Sequence, residues 1–335
     1  MGNTALKVLV TGSTGFIAPR LIEELVRRGF SVRCLRRAHK RTRNQNLPDS
    51  VEVFQGDLFD KAMLCESVRD IDIIYHTAAL VKALGRKEFY SVNVTGTLNI
   101  LDAAAKCGTQ LKRFVFFSSQ AAGYPASDAQ HPAQENDTCT PVSLYGKSKA
   151  AAEALLRCHP ANIPYTIIRP VSVYGPGDRE FFRYFNSIAM FHLKPVLGLG
   201  KRQLNLIYIS DMINAAISAS LSEKTAGKTY FLANETNYTW REFADTLTKV
   251  MGIRAKFFFT PPILFRIWGL FSDIFAKITG RSVFFSGSKV NESIKKYWLV
   301  SCDEARKDFG FKCDTDLEQG LAETLKWYKE HCWLK

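Results

Sequence analysis

The sequence predicts an α/β protein, a doubly wound parallel sheet followed by a smaller C-terminal lobe. Three observations carry that expectation. Short apolar runs alternate with helical patterns from residue 6 to about residue 174, the rhythm of strands joined by crossover helices. The first apolar run opens directly into a glycine-rich turn and then a helix. Beyond residue 174 the rhythm weakens, and a phenylalanine-rich stretch occupies residues 257–286. A chain of 335 residues has room for one large α/β unit with such an appendage.

Leu6 to Val10 reads as a buried strand, followed by Thr11-Gly12-Ser13-Thr14-Gly15-Phe16-Ile17-Ala18 and a helix patterned by Leu21, Ile22, Leu25 and Val26. Strand, glycine turn and helix in that order form the context of a Rossmann-type dinucleotide loop. Gly12 permits a tight turn, Gly15 lets backbone approach a pyrophosphate, and Ala18 keeps helix and strand close. Thr14, Phe16 and Ile17 then lie at the helix N-terminus facing the anion. The next strand, from Ser31, ends in Arg36 and Arg37. An acid there bonds the ribose 2′-hydroxyl of NAD, whereas arginine suits the 2′-phosphate of NADP. NADP(H) is therefore preferred, with NAD(H) allowed, against the alternative of a solvated strand end.

Val51 to Gln55 and Ile71 to Tyr75 supply two more strands around a helix near Lys61 to Val68. Gly56-Asp57-Leu58 offers a carboxylate and an apolar wall to adenine, or else Asp57 only caps the next turn. Thr77, Ala78 and Ala79 are small enough for backbone to lie against ribose and phosphates. A long helix from about Lys87 to Cys107 carries Asn93, and a fifth strand, Arg113 to Phe117, delivers Ser118 and Ser119.

Tyr145 and Lys149 open an alanine-rich helical stretch, and a spacing of four puts them on one face. A free phenol titrates near 10. An ammonium about 4 Å away is worth ~4 kcal/mol at an effective dielectric near 20, roughly three pKa units. The pair suits proton exchange near neutrality, although such a pair alone is commonly solvated helix surface.

The net charge is +13, with Arg27, Arg28, Arg33, Arg36, Arg37, Lys40, Arg41 and Arg43 in one span without an acid among them. Aromatic residues do not interleave there, which argues against nucleic acid. None of the eight cysteines forms a Cys-x-x-Cys pair or sits at zinc-ligand spacing, so reduced intracellular thiols and no metal site are expected. The N-terminus runs straight into a strand without a signal-peptide layout, and Leu6 makes Gly2 a poor myristoylation site. A cytoplasmic protein is the expectation, with membrane association left open by the residues discussed below.

Together these pieces resemble an extended short-chain dehydrogenase/reductase of the NAD(P)-dependent epimerase/dehydratase family. The resemblance rests on the glycine turn, Gly56-Asp57-Leu58, His76 to Ala79, Asn93 to Thr97, Ser118-Ser119, Tyr145 to Lys149 and Arg169 to Pro176, and runs on through Asn205 to Asp211 and Leu317 to Tyr328. It implies that Ser119 holds the substrate oxygen, Tyr145 passes the proton, and Lys149 lowers the tyrosine pKa and binds the nicotinamide ribose. It also implies that Asn93 helps hold the cofactor, that Ser118 meets it, and that Pro170, Val171 and Ser172 pack the nicotinamide. By the family's architecture the cofactor unit takes residues 1–174 and part of 206–235, and residues 175–335 are mainly the substrate-binding lobe. A homodimer through the two helices beginning near Lys87 and Tyr145 is also implied.

Three departures narrow the branch. Ser119 is followed by Gln120-Ala121-Ala122 rather than the acidic pair of the dehydratases. Leu204 stands where nucleotide-sugar epimerases often carry arginine, with Arg202 two residues off, and Ser172 replaces their usual asparagine. The 257–286 segment, with Arg266, Asp273 and Lys277 interrupting it, reads as amphipathic helix rather than a membrane span. It suits an apolar pocket wall, a lid, a peripheral membrane contact or core packing. The layout resembles the 3β-hydroxysteroid dehydrogenase and dihydroflavonol reductase branches, which implies hydride transfer to or from a bulky hydrophobic secondary alcohol or ketone. The rival readings are a nucleotide-sugar epimerase with tightly held NAD and a cofactor-sensing binding protein.

Overall fold

The structure is a computed structural model that describes residues 5–37, 47–280 and 286–334. In chain order its strands are β1 (Lys7–Thr11), β2 (Ser31–Arg36), β3 (Glu52–Gln55), β4 (Ile73–His76), β5 (Arg113–Phe117), β6 (Tyr165–Pro170), β7 (Ser172–Tyr174), β8 (Leu193–Leu197), β9 (Gln203–Leu204), β10 (Leu206–Tyr208), β11 (Lys228–Leu232), β12 (Tyr238–Thr239), β13 (Lys256–Thr260) and β14 (Tyr297–Trp298). Among the described residues, seven of these form a parallel sheet in the order β11-β6-β5-β4-β1-β2-β3. The order reverses between β1 and β4, where the ends of these two strands pair Thr11 with His76. A crevice at that reversal is where such sheets bind ligands.

The helices are α1 (Ile17–Arg27), α2 (Lys61–Ser67), α3 (Arg86–Tyr90), α4 (Gly96–Cys107), α5 (Leu144–Arg157), α6 (Glu180–Phe191), α7 (Ile209–Leu221), α8 (Trp240–Met251), α9 (Pro262–Thr279), α10 (Gly287–Ser293), α11 (Asp303–Phe309) and α12 (Leu317–Glu330). Period-two alternation along the strands divides the core between the two faces of the sheet. Val8, Val10 and Val115 pack with Leu21, Leu25, Met212 and Ala216 of α1 and α7, whereas Leu9, Phe114 and Phe116 pack with Leu64, Ile100, Leu101 and Leu156 of α2, α4 and α5. Both faces are thus covered, which is why β4 and β5 are buried along their whole length.

The expected helix over 87–107 is interrupted. Ser91–Thr95 forms a π-turn between α3 and α4 and turns Asn93 inward, the kind of irregularity that recurs at functional sites. The cysteine expectation is corrected in one place. Cys65 and Cys107 form a disulfide across the packed helices α2 and α4, while Cys34, Cys139, Cys158, Cys302, Cys313 and Cys332 are free. The acid-free basic span finds its partners outside itself. Arg27 and Arg28 both pair with Glu24, which lies in the preceding turn, and Arg33 pairs with Glu52 on the neighbouring strand. Lys40, Arg41 and Arg43 lie outside the described residues.

Between residues 257 and 280 the phenylalanine-rich segment lines neither of the two hollows described below and is mostly exposed. β13 pairs with β8, and α9 leaves Ile263, Leu264, Ile267, Leu270, Phe271, Ile274, Phe275 and Ile278 exposed, the last at 79 %. Only its small residues are buried: Gly269 and Ala276 face inward, and a Cβ at 269 would lie 2.7 Å from Val290 Cγ2 of α10. Val283, Phe284 and Phe285 lie outside the described residues. No described helix is long and apolar enough to cross a membrane.

Candidate active site

Two adjoining hollows lie along the carboxyl ends of the strands, one of about 140 Å3 and one of about 380 Å3. Gly15, Thr77 and Ala79 belong to both walls. The smaller hollow starts at the glycine turn, closed by a Gly15 N–H to Gly12 carbonyl bond of 2.9 Å. Gly12 has φ +78°, and a Cβ there would stand 2.8 Å from the backbone of Ala78. Glycine is therefore required both by conformation and by space. Thr77 Oγ1 donates to the Thr11 carbonyl at 2.7 Å, and the Ala78 N–H reaches Thr11 Oγ1 at 3.3 Å, so the β1 and β4 ends are tied together. No side chain caps α1, and its first turn carries no acid. This cradle of close backbone and unspent N–H groups fits a dinucleotide pyrophosphate.

Thr14, Asp57, Leu58, Thr77, Ala78 and Ala79 all line the smaller hollow. Asp57 Oδ1 also accepts the Phe59 N–H at 3.0 Å, so the cap and the wall are the same residue. Of the two arginines, Arg37 belongs to this wall and Arg36 does not; Arg36 is in register with Gln55 on β3, and alternation along the strand turns neighbouring side chains to opposite faces. Asn93 acts at one remove. Its side chain accepts the Leu80 N–H at 2.7 Å and donates to the Leu80 carbonyl at 3.0 Å and to Ser148 Oγ at 2.9 Å, pinning the loop after β4 to α5.

The larger hollow brings together Phe16, Ile17, Ser118, Ser119, Tyr145, Lys149, Val171 and Ser172. Pro170 ends β6 just behind them and is not among its walls. Close approach sets the catalytic geometry. α5 begins at an N-cap, Ser143, whose Oγ accepts the Gly146 N–H at 3.0 Å, and a Cβ on Gly146 would lie 2.1 Å from the Ala121 carbonyl oxygen. Only glycine at 146 lets α5 sit this near the Ser119 turn. Burial pushes the Tyr145 phenol up, the Glu292 charge adds to that, and the Ser119 hydroxyl bonded to it pulls the other way.

Lys149 is not among the groups that set this shift. Lys149 is itself held down to about 7 by burial, against the charge of Glu153. Its Nζ donates to the Phe117 carbonyl at 2.5 Å and stands 4.6 Å from the Phe116 ring centroid.

Several site residues escaped the sequence reading. Glu153 continues the Tyr145/Lys149 stripe by another four residues and is fully buried, accepting from Ser118 Oγ at 2.5 Å, Arg169 Nε at 2.9 Å and Arg157 Nη2 at 2.8 Å. Burial raises its carboxyl, but Arg169 prevails and holds it below the usual carboxylate range. The i+4 continuation was the available signal. His76 bonds Thr11 Oγ1 at 2.8 Å and Thr97 Oγ1 at 3.0 Å, and burial, aided by Lys149, lowers it to about 3, so it stays neutral. Asp178, Glu180, Lys289 and Glu292 complete the wall from α10 and the start of α6. Asp178 caps α6 through the Phe181 N–H at 2.6 Å, and burial raises it to about 6. No local pattern marks Lys289 or Glu292, because only tertiary packing brings α10 to Tyr145. None of the α9 residues lines either hollow.

The sequence model of the NAD dependent epimerase/dehydratase family matches residues 8–233. The chain belongs to this family. It is an NAD(P)-dependent oxidoreductase of the extended short-chain dehydrogenase/reductase type. The 3β-hydroxysteroid dehydrogenase/Δ5→4-isomerase of Mycobacterium tuberculosis is 29 % identical over 98 % of this chain and 93 % of its own. A ceramide reductase of Caulobacter vibrioides is 27 % identical over 98 % and 96 %. Among solved structures, the UDP-glucose 4-epimerase of Thermotoga maritima with UDP-glucose superposes with a TM-score of 0.80 at 20 % identity, covering 98 % of this chain and all of that one; it is a likeness of fold.

Proposed function

We propose that this dehydrogenase/reductase moves hydride between nicotinamide and the carbinol carbon of a bulky, largely apolar secondary alcohol or ketone, with NADP(H) preferred. The observation that carries the reading is that the two hollows share Gly15, Thr77 and Ala79, so the cavity lined by Ser119, Tyr145 and Lys149 adjoins the nucleotide cradle. The bound cofactor supplies or accepts the hydride. Ser119 Oγ holds the substrate oxygen, Tyr145 exchanges the proton on that oxygen, and Lys149, titrating near 7, refills the phenol. A phenol pushed up by burial is protonated at neutral pH, the form that ketone reduction consumes. Phe89, Phe117, Val171, Val173 and Phe181 give the cavity its apolar walls. Tyr145→Phe should lower turnover by roughly 10²–10⁴-fold while leaving NADP(H) binding intact; undiminished reduction of a steroid or long-chain ketone by that variant sinks the mechanism.

The NADP(H) preference is supported by Arg37 in the nucleotide wall. A nucleotide sugar finds less support. Arg202 spends its guanidinium on the Leu197 and Ile294 carbonyls, and Lys82 and Lys289 pair with Glu180 and Glu292. The exposed apolar residues of α9, flanked by exposed Arg254, Lys256, Arg266 and Lys277, suit a peripheral contact with an anionic lipid surface, and the outer faces of α4 and α5 are the proposed pairing faces of a homodimer. Cosedimentation with phosphatidylserine vesicles, lost in Ile267→Asp/Phe271→Asp, checks the lipid contact; equal sedimentation of the variant refutes it.

A further inference from the structure

Glu292 Oε2 and Gln120 Oε1 are buried acceptors without a donor, and both side chains line the cavity that holds Ser119 and Tyr145. The other Glu292 oxygen takes Lys289 Nζ at 2.7 Å. The helix carrying Glu292 is fastened on three sides. Ser288 Oγ accepts the Leu144 N–H at 2.7 Å, one residue before Tyr145; the Gly287 N–H donates to Asp273 Oδ2 at 3.0 Å; and Trp298 Nε1 donates to the Glu292 carbonyl at 2.9 Å. Glu292 therefore stands in a fixed relation to Tyr145, close enough for its charge to act on the phenol. Gln120, next to Ser119, meets the same space from the strand side. A buried carboxylate oxygen with no donor bears the full cost of its lost hydration, which a ligand N–H or O–H removes.

Resting on the hydride-transfer reading above, we propose that Glu292 is a specificity residue that accepts a hydrogen bond from an O–H or N–H on the carbon next to the reacting one, with Gln120 taking a second donor. The preferred substrate is then an amphiphile with donors flanking its carbonyl or carbinol, and a carbonyl set in plain hydrocarbon is the poor one. An acylamino alcohol and a sugar both present such donors. A donor bound at Glu292 also screens its charge from Tyr145, linking recognition to proton transfer.

The test is equilibrium binding in the presence of NADP+, with which a ketone cannot react. The probes are a short-chain 2-acylamino-3-keto alcohol, the 3-ketone of the same length bearing neither donor, and UDP-glucose. The donor-bearing ketone should bind roughly ten- to a hundredfold tighter than its plain match. Lys289→Met/Glu292→Leu, which removes the pair together, should erase that preference and leave the plain ketone within about twofold, while Glu292→Gln, still an acceptor, should restore part of it. Tighter binding of UDP-glucose than of either ketone, lost in the same double variant, assigns the donors to a sugar and upholds the site. Equal binding of the matched ketones by the unmodified chain, or equal weakening of both in the double variant, overturns it. Turnover of the donor-bearing ketone with NADPH is read separately. Its absence beside an intact binding preference counts against hydride transfer and for the site. Where turnover is present, Glu292→Gln should move the pH limb of ketone reduction to lower pH, because a negative charge that raises the phenol is gone; an unmoved limb overturns the link to Tyr145.

Discussion

At the nucleotide end of the cleft, polar side chains find their partners within the scaffold, and only backbone N–H groups are left for a ligand. Thr11, Thr77 and His76 bond across the β1 and β4 ends, and Asn93 is satisfied by Leu80 and Ser148. At the α10 end, Glu292 and Gln120 keep buried acceptors open. The first end is a finished mould that needs only its ligand's phosphates. The second is complete only when a ligand supplies donors. The difference follows from construction: strand ends fixed by a sheet ladder hold one end, and a seven-residue helix hung on side-chain bonds holds the other.

A crossed pair of substitutions breaks this comparison most severely. Gly12→Ala forces a positive φ on alanine and drives its Cβ to 2.8 Å from backbone that the β-ladder cannot release. A strain of about 1–3 kcal/mol, or loss of the turn, should weaken cofactor binding by at least tenfold. Gly269→Ala instead presses on Val290 Cγ2, a side chain on α10. It should raise KM for the ketone severalfold and leave cofactor affinity alone. Isothermal titration with NADPH and steady-state kinetics check both; a Gly269→Ala effect on NADPH binding equal to that on KM removes the distinction between the two ends.

The same difference explains what could be read from the residues. The glycine turn, Asp57, Thr77 and the Tyr145/Lys149 stripe sit within or directly after elements with a local period, so their positions follow from strand and helix geometry alone. Glu153 was readable too, as the third member of that stripe. Lys289 and Glu292 are more than 140 residues from Tyr145 in sequence, and a seven-residue helix has no pattern that points to a site. The α9 segment left its role open for a related reason: a helix apolar on most sides normally signals burial, yet only Gly269 and Ala276 are covered, which the pattern alone does not reveal. Pair geometry has its own limit, since the spacing of Tyr145 and Lys149 carries no information about how burial shifts each of them.

A smaller effect is expected at the nucleotide wall. Arg37 lines the hollow beside Asp57 and Leu58, and Arg36 does not. Arg37→Ala should weaken NADPH about tenfold, the worth of a charge-assisted bond to phosphate, with NADH unchanged. Arg36→Asp added to it should then turn preference toward NAD. Matched affinities for the two cofactors in the unmodified chain end the NADP assignment.

The last effect is one of stability and separates scaffold from chemistry at Lys149. Its amine titrates near 7 in the folded chain because of burial, against 10.5 when exposed. Below pH 7 folded and unfolded chains both carry the ammonium, and the folded one bears the whole desolvation penalty. Between 7 and 10.5 the unfolded chain binds more protons, so raising the pH favours folding. Lys149→Met should abolish turnover and yet stabilise the fold most below pH 7, by roughly a few kcal/mol at most, with the gain shrinking toward pH 10.5. Urea melts of the two chains across that range measure it. A gain that grows with pH would mean that Lys149 holds its proton in the folded chain, and the role of the lysine would return to the charged partner that its spacing from Tyr145 first suggested.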